Sequence, residues 1–123
     1  MTINEAITKV DALKPNSYTQ SEKIEWLSIV DGLIKRTIVD KHDGGEDIIF
    51  NGYTDDTPLD TELIAQYPYD DMYIPWLESK IDYNNAEYTK YNNSITRFND
   101  TFSAYSSDYN RTHMPKGKAV KYF

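Results

Sequence analysis

Tyr69–Asn110 reads YDDMYIPWLESKIDYNNAEYTKYNNSITRFNDTFSAYSSDYN. Apolar or aromatic residues recur in it at Ile74, Leu77, Ile81, Tyr88, Tyr91, Ile95, Phe98, Phe102, Tyr105 and Tyr109, with Asn84 in the one vacant place. The steps alternate three and four, so on an α-helix the series keeps to one narrow stripe, as in a coiled-coil seam. An unbroken helix of this length would run on the order of 60 Å. A compact domain of this size has a radius of gyration of roughly 14 Å. Either the helix breaks, near Asn92 and Asn93, or neighbouring subunits cover what one chain leaves bare. Seam asparagines such as Asn84 often select register or oligomeric state, and the plainer alternative for Asn84 is a water-exposed gap in the stripe.

The rest of the chain is bounded by its length and composition. With 123 residues and 39% apolar content, it is one small domain with a thin core, which oligomerisation would reinforce. It has no cysteine, which excludes disulfides, thiolate zinc sites and thiol catalysis. No apolar run approaches the roughly 18 to 20 residues of a membrane span, and MTINEAITKV lacks the apolar core of a signal peptide. The expected setting is a cytosol or a particle assembled there, with no membrane partner. Eleven tyrosines, many on the seam, suit interfaces better than dry cores, because each ring carries a hydroxyl that needs a partner.

Ahead of the seam, Thr2 and Glu5 form a capping-box pattern for a short helix whose face is Ile3, Ile7, Val10 and Leu13, closed by Lys14-Pro15-Asn16. A second helix is expected from about Ser17–Ser21 to about Lys41. Its seam is Ile24, Leu27, Val30 or Asp31, Ile34 and Ile38, and Trp26, Ile29 and Leu33 widen the apolar face. Gly32 inside it costs about 1 kcal/mol relative to alanine and would mark a close helix crossing. Gly44-Gly45 supplies the stop. Asp47-Ile48-Ile49-Phe50, Asn51-Gly52 and Tyr53-Thr54 read as a short β-hairpin or extended loop around residues 46–56. One helical turn is expected over Thr57–Ile64. Pro75 implies either a kink near Tyr73 or a helix starting at Ile74. The fold class is therefore mainly α: a small helical bundle over 1–110 with a long C-terminal helix, followed by an extended basic tail over 111–123.

Charge is segregated. Asp43 to Asp71 holds Asp43, Glu46, Asp47, Asp55, Asp56, Asp60, Glu62, Asp70 and Asp71 without a lysine or arginine, whereas RTHMPKGKAVKYF, residues 111–123, has no acidic side chain. The formal net charge of −7 argues against general nucleic-acid binding, and sequence-specific binding is not expected either. Asp55, Asp56 and Asp60 are candidates to face a DNA channel, which an acidic wall would keep from sticking, or the basic tail of a neighbour. Chemistry is sparse. There is no phosphate loop, HExxH or GxSxG, and His42 and His113 lie at opposite ends of the helical body. Asp43-Gly44-Gly45-Glu46-Asp47 lacks the ligand spacing of a calcium loop. No catalytic residue, cofactor or metal is expected, and the chain reads as a non-enzyme.

The string YDDMYIPWLESKIDYNNAEYTKYNNSITRFNDTFSAYSSDYNRTHMP, preceded by FNGYTDDTPLDTELIAQYPYD and KIEWLSIVDGLIKRTIVD, resembles the small head-tail connector (adaptor, head-completion) proteins of tailed phages and prophages of Gram-positive bacteria. The likeness spans about Met1 to Lys118 and is one of overall pattern. It implies a mostly helical subunit in a twelve-fold ring beneath the portal vertex, extending the DNA channel and presenting a surface to the next tail-completion protein. Its place would be the head-tail interface of the virion, and the host cytoplasm before assembly. The resemblance gives portal docking to the C-terminal segment, here Arg111, His113, Met114, Pro115, Lys116, Gly117 and Lys118. The subunit-interface candidates are Tyr88, Tyr91, Ile95, Phe98, Phe102, Tyr105 and Tyr109. The competing reading is an acidic helical regulator or inhibitor of a host factor.

Overall fold

The computed structural model describes residues 1–117. Within them the chain is mainly helical: α1 (Ile3–Leu13), α2 (Gln20–Thr37), α3 (Tyr73–Asn84) and α4 (Tyr88–Thr112), with tight 3₁₀ turns at Val39–Lys41, Gly45–Asp47 and Tyr69–Met72. The α1 capping box forms as the sequence predicts: the Glu5 N–H donates to Thr2 Oγ1 and the Thr2 N–H donates to Glu5 Oε1. Thr19 caps α2 by accepting from the Glu22 N–H at 3.1 Å. α2 stops at Thr37, short of Lys41, and Gly44 with its φ of 84° serves the turn that follows instead.

The seam folds back on itself. α3 ends in a Schellman motif, where the Ala86 N–H donates to Tyr83 O (3.0 Å) and the Glu87 N–H donates to Asp82 O (2.9 Å). Ala86 takes the left-handed conformation, with φ at 58°. α4 then returns antiparallel to α3. Tyr83 meets Tyr91, Asp82 meets Ser94, Glu78 meets Arg97, Trp76 meets Phe98 and Tyr69 meets Tyr105, each step along one helix matched by a step back along the other. The expected break at Asn92–Asn93 is not there. Both residues are exposed inside α4, and the reversal comes seven residues earlier, at Asn85–Glu87. The stripe that called for neighbours is closed by the chain's own hairpin. Asn84 ends α3 exposed to water, its Nδ2 donating to Lys80 O, so it is the gap in the stripe and not a seam residue.

α3 is the central helix. It packs on α1, α2 and α4, and nine of its twelve residues are buried, the charged ones among them paired, Glu78 with Arg97 and Asp82 with Lys14. Pro75 sits in its first turn, where a missing N–H costs little, and α3 runs on from the 3₁₀ turn without needing a proline break. The Trp76 indole N–H donates to Trp26 O at 2.8 Å, tying α3 to α2. Beside the hairpin turn, buried Asp82 accepts from Lys14 Nζ (2.5 Å) and Ser94 Oγ (2.8 Å), joining α1, α3 and α4.

Glu46–Tyr69 forms no hairpin. The described residues hold only isolated bridges, Thr2 with Glu62 and His42 with Pro115. Two strands alone are marginal, and this segment spends its polar groups on the helices instead. The Ile3 and Asn4 N–H groups, orphans of the α1 N-terminus, donate to Thr61 O and Leu59 O, and the expected turn of helix over Thr57–Ile64 gives way to that pairing. The Tyr53 N–H donates to Ser28 Oγ, and the Phe50 ring lies over Gly32, so that position meets the loop and not a helix crossing, and a Cβ there would sit at an ordinary 3.7 Å from the ring.

Asp31 binds this loop to the core. Fully buried, it accepts from Tyr73 Oη at 2.5 Å, Tyr53 Oη at 2.5 Å and the Ile64 N–H at 3.1 Å, while Tyr73 Oη accepts from the Ala65 N–H at 2.8 Å. Burial pushes the Asp31 carboxyl above its ordinary range despite those donors. The Tyr53 and Tyr73 hydroxyls are pushed up too, first by burial and then by the neighbouring carboxylate.

Candidate functional site

The C-terminal half of α4 runs past α3 and faces the loop that Asp31 anchors. Between them lies a cleft of about 280 Å³ walled by Ile48, Ile64, Tyr67, Tyr69, Tyr105 and Tyr109. A second groove of about 330 Å³ continues from it through Ile48, Ile64 and Gln66 to Ile49 and Phe50. Ile49 is 83% exposed and Tyr67 87%, so large apolar surface stands in water at this end. Asp108 and Glu62 lie at the rim, paired with Arg111 and with the N-terminal ammonium, and among the described residues no lysine or arginine lines either hollow. Burial pushes the pKa of the Tyr105 and Tyr109 hydroxyls above the ordinary tyrosine range.

The floor behind the cleft is an aromatic stack. His42 is buried, with Nδ1 2.6 Å from Ile38 O and Nε2 2.9 Å from the Asn110 side chain. Its ring meets Tyr109 edge-on at 4.9 Å, and Tyr109 stacks on His113 with centroids 3.7 Å apart and planes 6° from parallel. The two histidines, distant in sequence, have ring centroids 6.2 Å apart. Folding brings together what the chain order had placed at opposite ends.

Of the tail residues, Arg111 lies in the last turn of α4 and pairs with Asp108 at 3.1 Å, so the helix passes the boundary placed after Asn110. Met114 O accepts from the Asp43 N–H and the Lys116 N–H donates to Lys41 O, which lays Met114–Lys116 antiparallel along Lys41–Asp43. Through Lys116 the tail is therefore docked on its own chain. Pro115 is half-buried, Met114 is 53% exposed, and Gly117 takes a φ of 75°. Lys118 lies outside the described residues.

Of the interface candidates, Phe98, Tyr105 and Tyr109 are buried in the hairpin and are consumed within the molecule. Tyr91, Ile95 and Phe102 are half-buried. Tyr88 is 58% exposed and forms, with Tyr83 and Tyr91, an aromatic cluster at the hairpin turn, the end of the bundle opposite the cleft. Asp55, Asp56 and Asp60 are all exposed on the loop but do not converge, and Asp55 accepts from Ser21 Oγ at 2.5 Å.

Sequence reasoning missed the cleft, because its walls come from residues 48, 64–69 and 105–113, and nothing local links them. Asp31 did leave a signal, a carboxylate alternating with Val30 on an otherwise apolar seam. Among the described residues no group of three or more His, Asp or Glu side chains is arranged to hold a metal ion. No helix among them is long and apolar enough to cross a membrane. Compared with protein-family models, curated proteins and solved structures, the chain matches none. The arrangement is suited to binding: a hollow walled by aromatic and apolar side chains, with Asp108 and Glu62 at its rim.

Proposed function

We propose that this chain is a structural assembly subunit of the head-tail connector kind, joining a ring on a portal and extending its DNA channel. The observation that carries the reading is the position of the exposed apolar surface. Two patches stand at opposite ends of α4, Tyr83 with Tyr88 and Tyr91 at the hairpin turn and Ile48, Ile49 and Tyr67 at the far end, while Leu13, Ile29 and Leu33 are exposed elsewhere. α4 has 25 residues, so the two stand roughly 30 Å or more apart. Unlike patches on opposite ends favour head-to-tail contacts, which close into rings when the rotation allows. Hydrophobic surface of this kind also marks protein contacts in general.

The seam is sealed within the chain. The subunit does not need neighbours to cover its long helix, so it folds alone and assembles through its ends. The exposed carboxylates of Asp55, Asp56 and Asp60 remain candidates for a channel wall, and the twelve-fold copy number and the downstream tail-completion partner come from the resemblance. Light scattering of the purified chain, with and without a portal protein from the same genome, tests the reading. Stable complexes of ring size support it. A chain that stays monomeric and ignores the portal at high concentration overturns it.

A further inference from the structure

The segment after α4 is docked by main-chain pairing. His42 faces Pro115 across an antiparallel bridge, flanked by the Asp43 N–H donating to Met114 O at 2.9 Å and the Lys116 N–H donating to Lys41 O at 3.0 Å. The edge that receives it is firmly held, since the buried His42 ring lies 2.6 Å from Ile38 O and 2.9 Å from the Asn110 side chain. The segment itself is not. Met114, Lys116 and Gly117 are exposed and Pro115 is half-buried, and the register sets the exposed Lys116 opposite the exposed Lys41, a like-charge pair. A segment with so few buried contacts opens locally at little cost. Its connection to α4 has no slack either: the His113 N–H still donates to Tyr109 O, closing the helix, and the next residue already accepts from Asp43.

We propose that between assembled copies Met114–Lys116 of one chain docks on Lys41–Asp43 of the next, in place of that copy's own segment. The occupant of the edge is then a second copy of this chain. The same bonds form either way, so exchange costs nothing in contacts, and a connection without slack favours it. In a lone molecule the tether keeps the segment at its own edge at high effective concentration. Exchange competes only where contacts between the ends of α4 bring a neighbour's edge equally near, so it deepens the assembly proposal and rests on it. Passed from each copy to the next, the segment makes a head-to-tail contact of the kind that closes rings.

The chain has no cysteine, so single substitutions in the full chain report the pairing. Asp43 and Met114 are exposed and opposite each other in the register, at a Cα spacing of about 5.5 Å that a disulfide spans. Asp43→Cys and Met114→Cys chains are purified separately, mixed with and without portal protein, and oxidised, and mass spectrometry maps the linked peptides. Neither variant can close a disulfide within itself. The link between the two is expected at about tenfold or more above that between Met114→Cys and Glu25→Cys, an exposed site in the N-terminal half of α2. A glycine spacer between His113 and Met114 should lower the link several-fold, since slack lets each segment settle on its own chain. Circular dichroism of every variant should match the parent. Association seen by light scattering, with the link no higher than the Glu25→Cys background, overturns exchange and leaves the assembly proposal standing. A double Asp43→Cys, Met114→Cys variant that assembles yet links only within each chain overturns exchange as well. Chains that never associate overturn both.

Discussion

Tyr73→Phe removes one oxygen from the most connected buried site in the molecule. That hydroxyl donates to Asp31 Oδ1 at 2.5 Å and accepts from the Ala65 N–H at 2.8 Å. Tyr73, Ala65 and Asp31 are all fully buried, so water does not replace either bond. A hydrogen bond to a charged group contributes about 1.5–3 kcal/mol, and orphaning a buried donor costs about 1–3 kcal/mol. The two overlap, because both belong to one deleted atom, and the expected loss is about 2–4 kcal/mol. That is a large share of the roughly 5–15 kcal/mol that holds a domain together. Urea denaturation followed by tryptophan fluorescence and by circular dichroism measures it, with an unchanged slope showing that only stability moved.

Tyr53→Phe is the control, since that half-buried hydroxyl is seen to bond only to Asp31, and it should cost less. The pH dependence adds a second check. Burial raises the folded-state pKa of Asp31, so its neutral form is favoured by folding. Its contribution to stability is fully present below the unfolded value of 3.8 and is lost as pH rises through the higher folded value. Deleting a donor to the charged form raises the folded value further. The Tyr73→Phe penalty should therefore shrink as pH falls through that window. A loss under about 1 kcal/mol, a larger loss for Tyr53→Phe, or a penalty that grows on acidification would refute the reasoning.

Phe98→Ala, in the hairpin interface beside Trp76, should cost about 3–5 kcal/mol. Tyr88→Ala, on the exposed cluster, should leave stability within about 0.5 kcal/mol, and denaturation midpoints separate the two. Gly45→Ala would place Cβ 2.3 Å from Val39 O, so the turn must shift, at a cost of about 1–3 kcal/mol read from the same curves. Ala86→Gly relieves a left-handed alanine and should raise the thermal midpoint, gaining about 1 kcal/mol.

Much of the helical content was legible because its causes are local. Thr2 with Glu5 and Thr19 with Glu22 are side-chain caps a few residues from the groups they satisfy. The α2 core face, Ile24, Leu27 and Ile34, with Ile38 just past its end, follows from period alone. The hairpin turn was not legible. Asparagine pairs at 84–85 and 92–93 offer the same local signal, and the chain reverses beside the first, through an alanine in a conformation that normally calls for glycine. What selects that site is the match of Trp76 to Phe98 and Asp82 to Ser94, which no local pattern records. The DIIF run failed as a hairpin for a related reason. Its propensity is real, but Ser28 and Asp31 on α2 hold Tyr53, the residue that should have opened the return strand.

By itself the sequence determined a mainly helical chain without cysteine chemistry, an apolar stripe of period near 3.5, and opposed acidic and basic tracts, because composition and periodicity act through neighbours on the chain. Only the tertiary structure decided that the stripe pairs with itself and that Asp31 clasps a loop. It also decided that His42 and His113 meet across Tyr109 and that exposed apolar side chains stand at both ends of α4. Each of these depends on contacts between residues far apart in sequence, whose energies are realised only once the helices have packed.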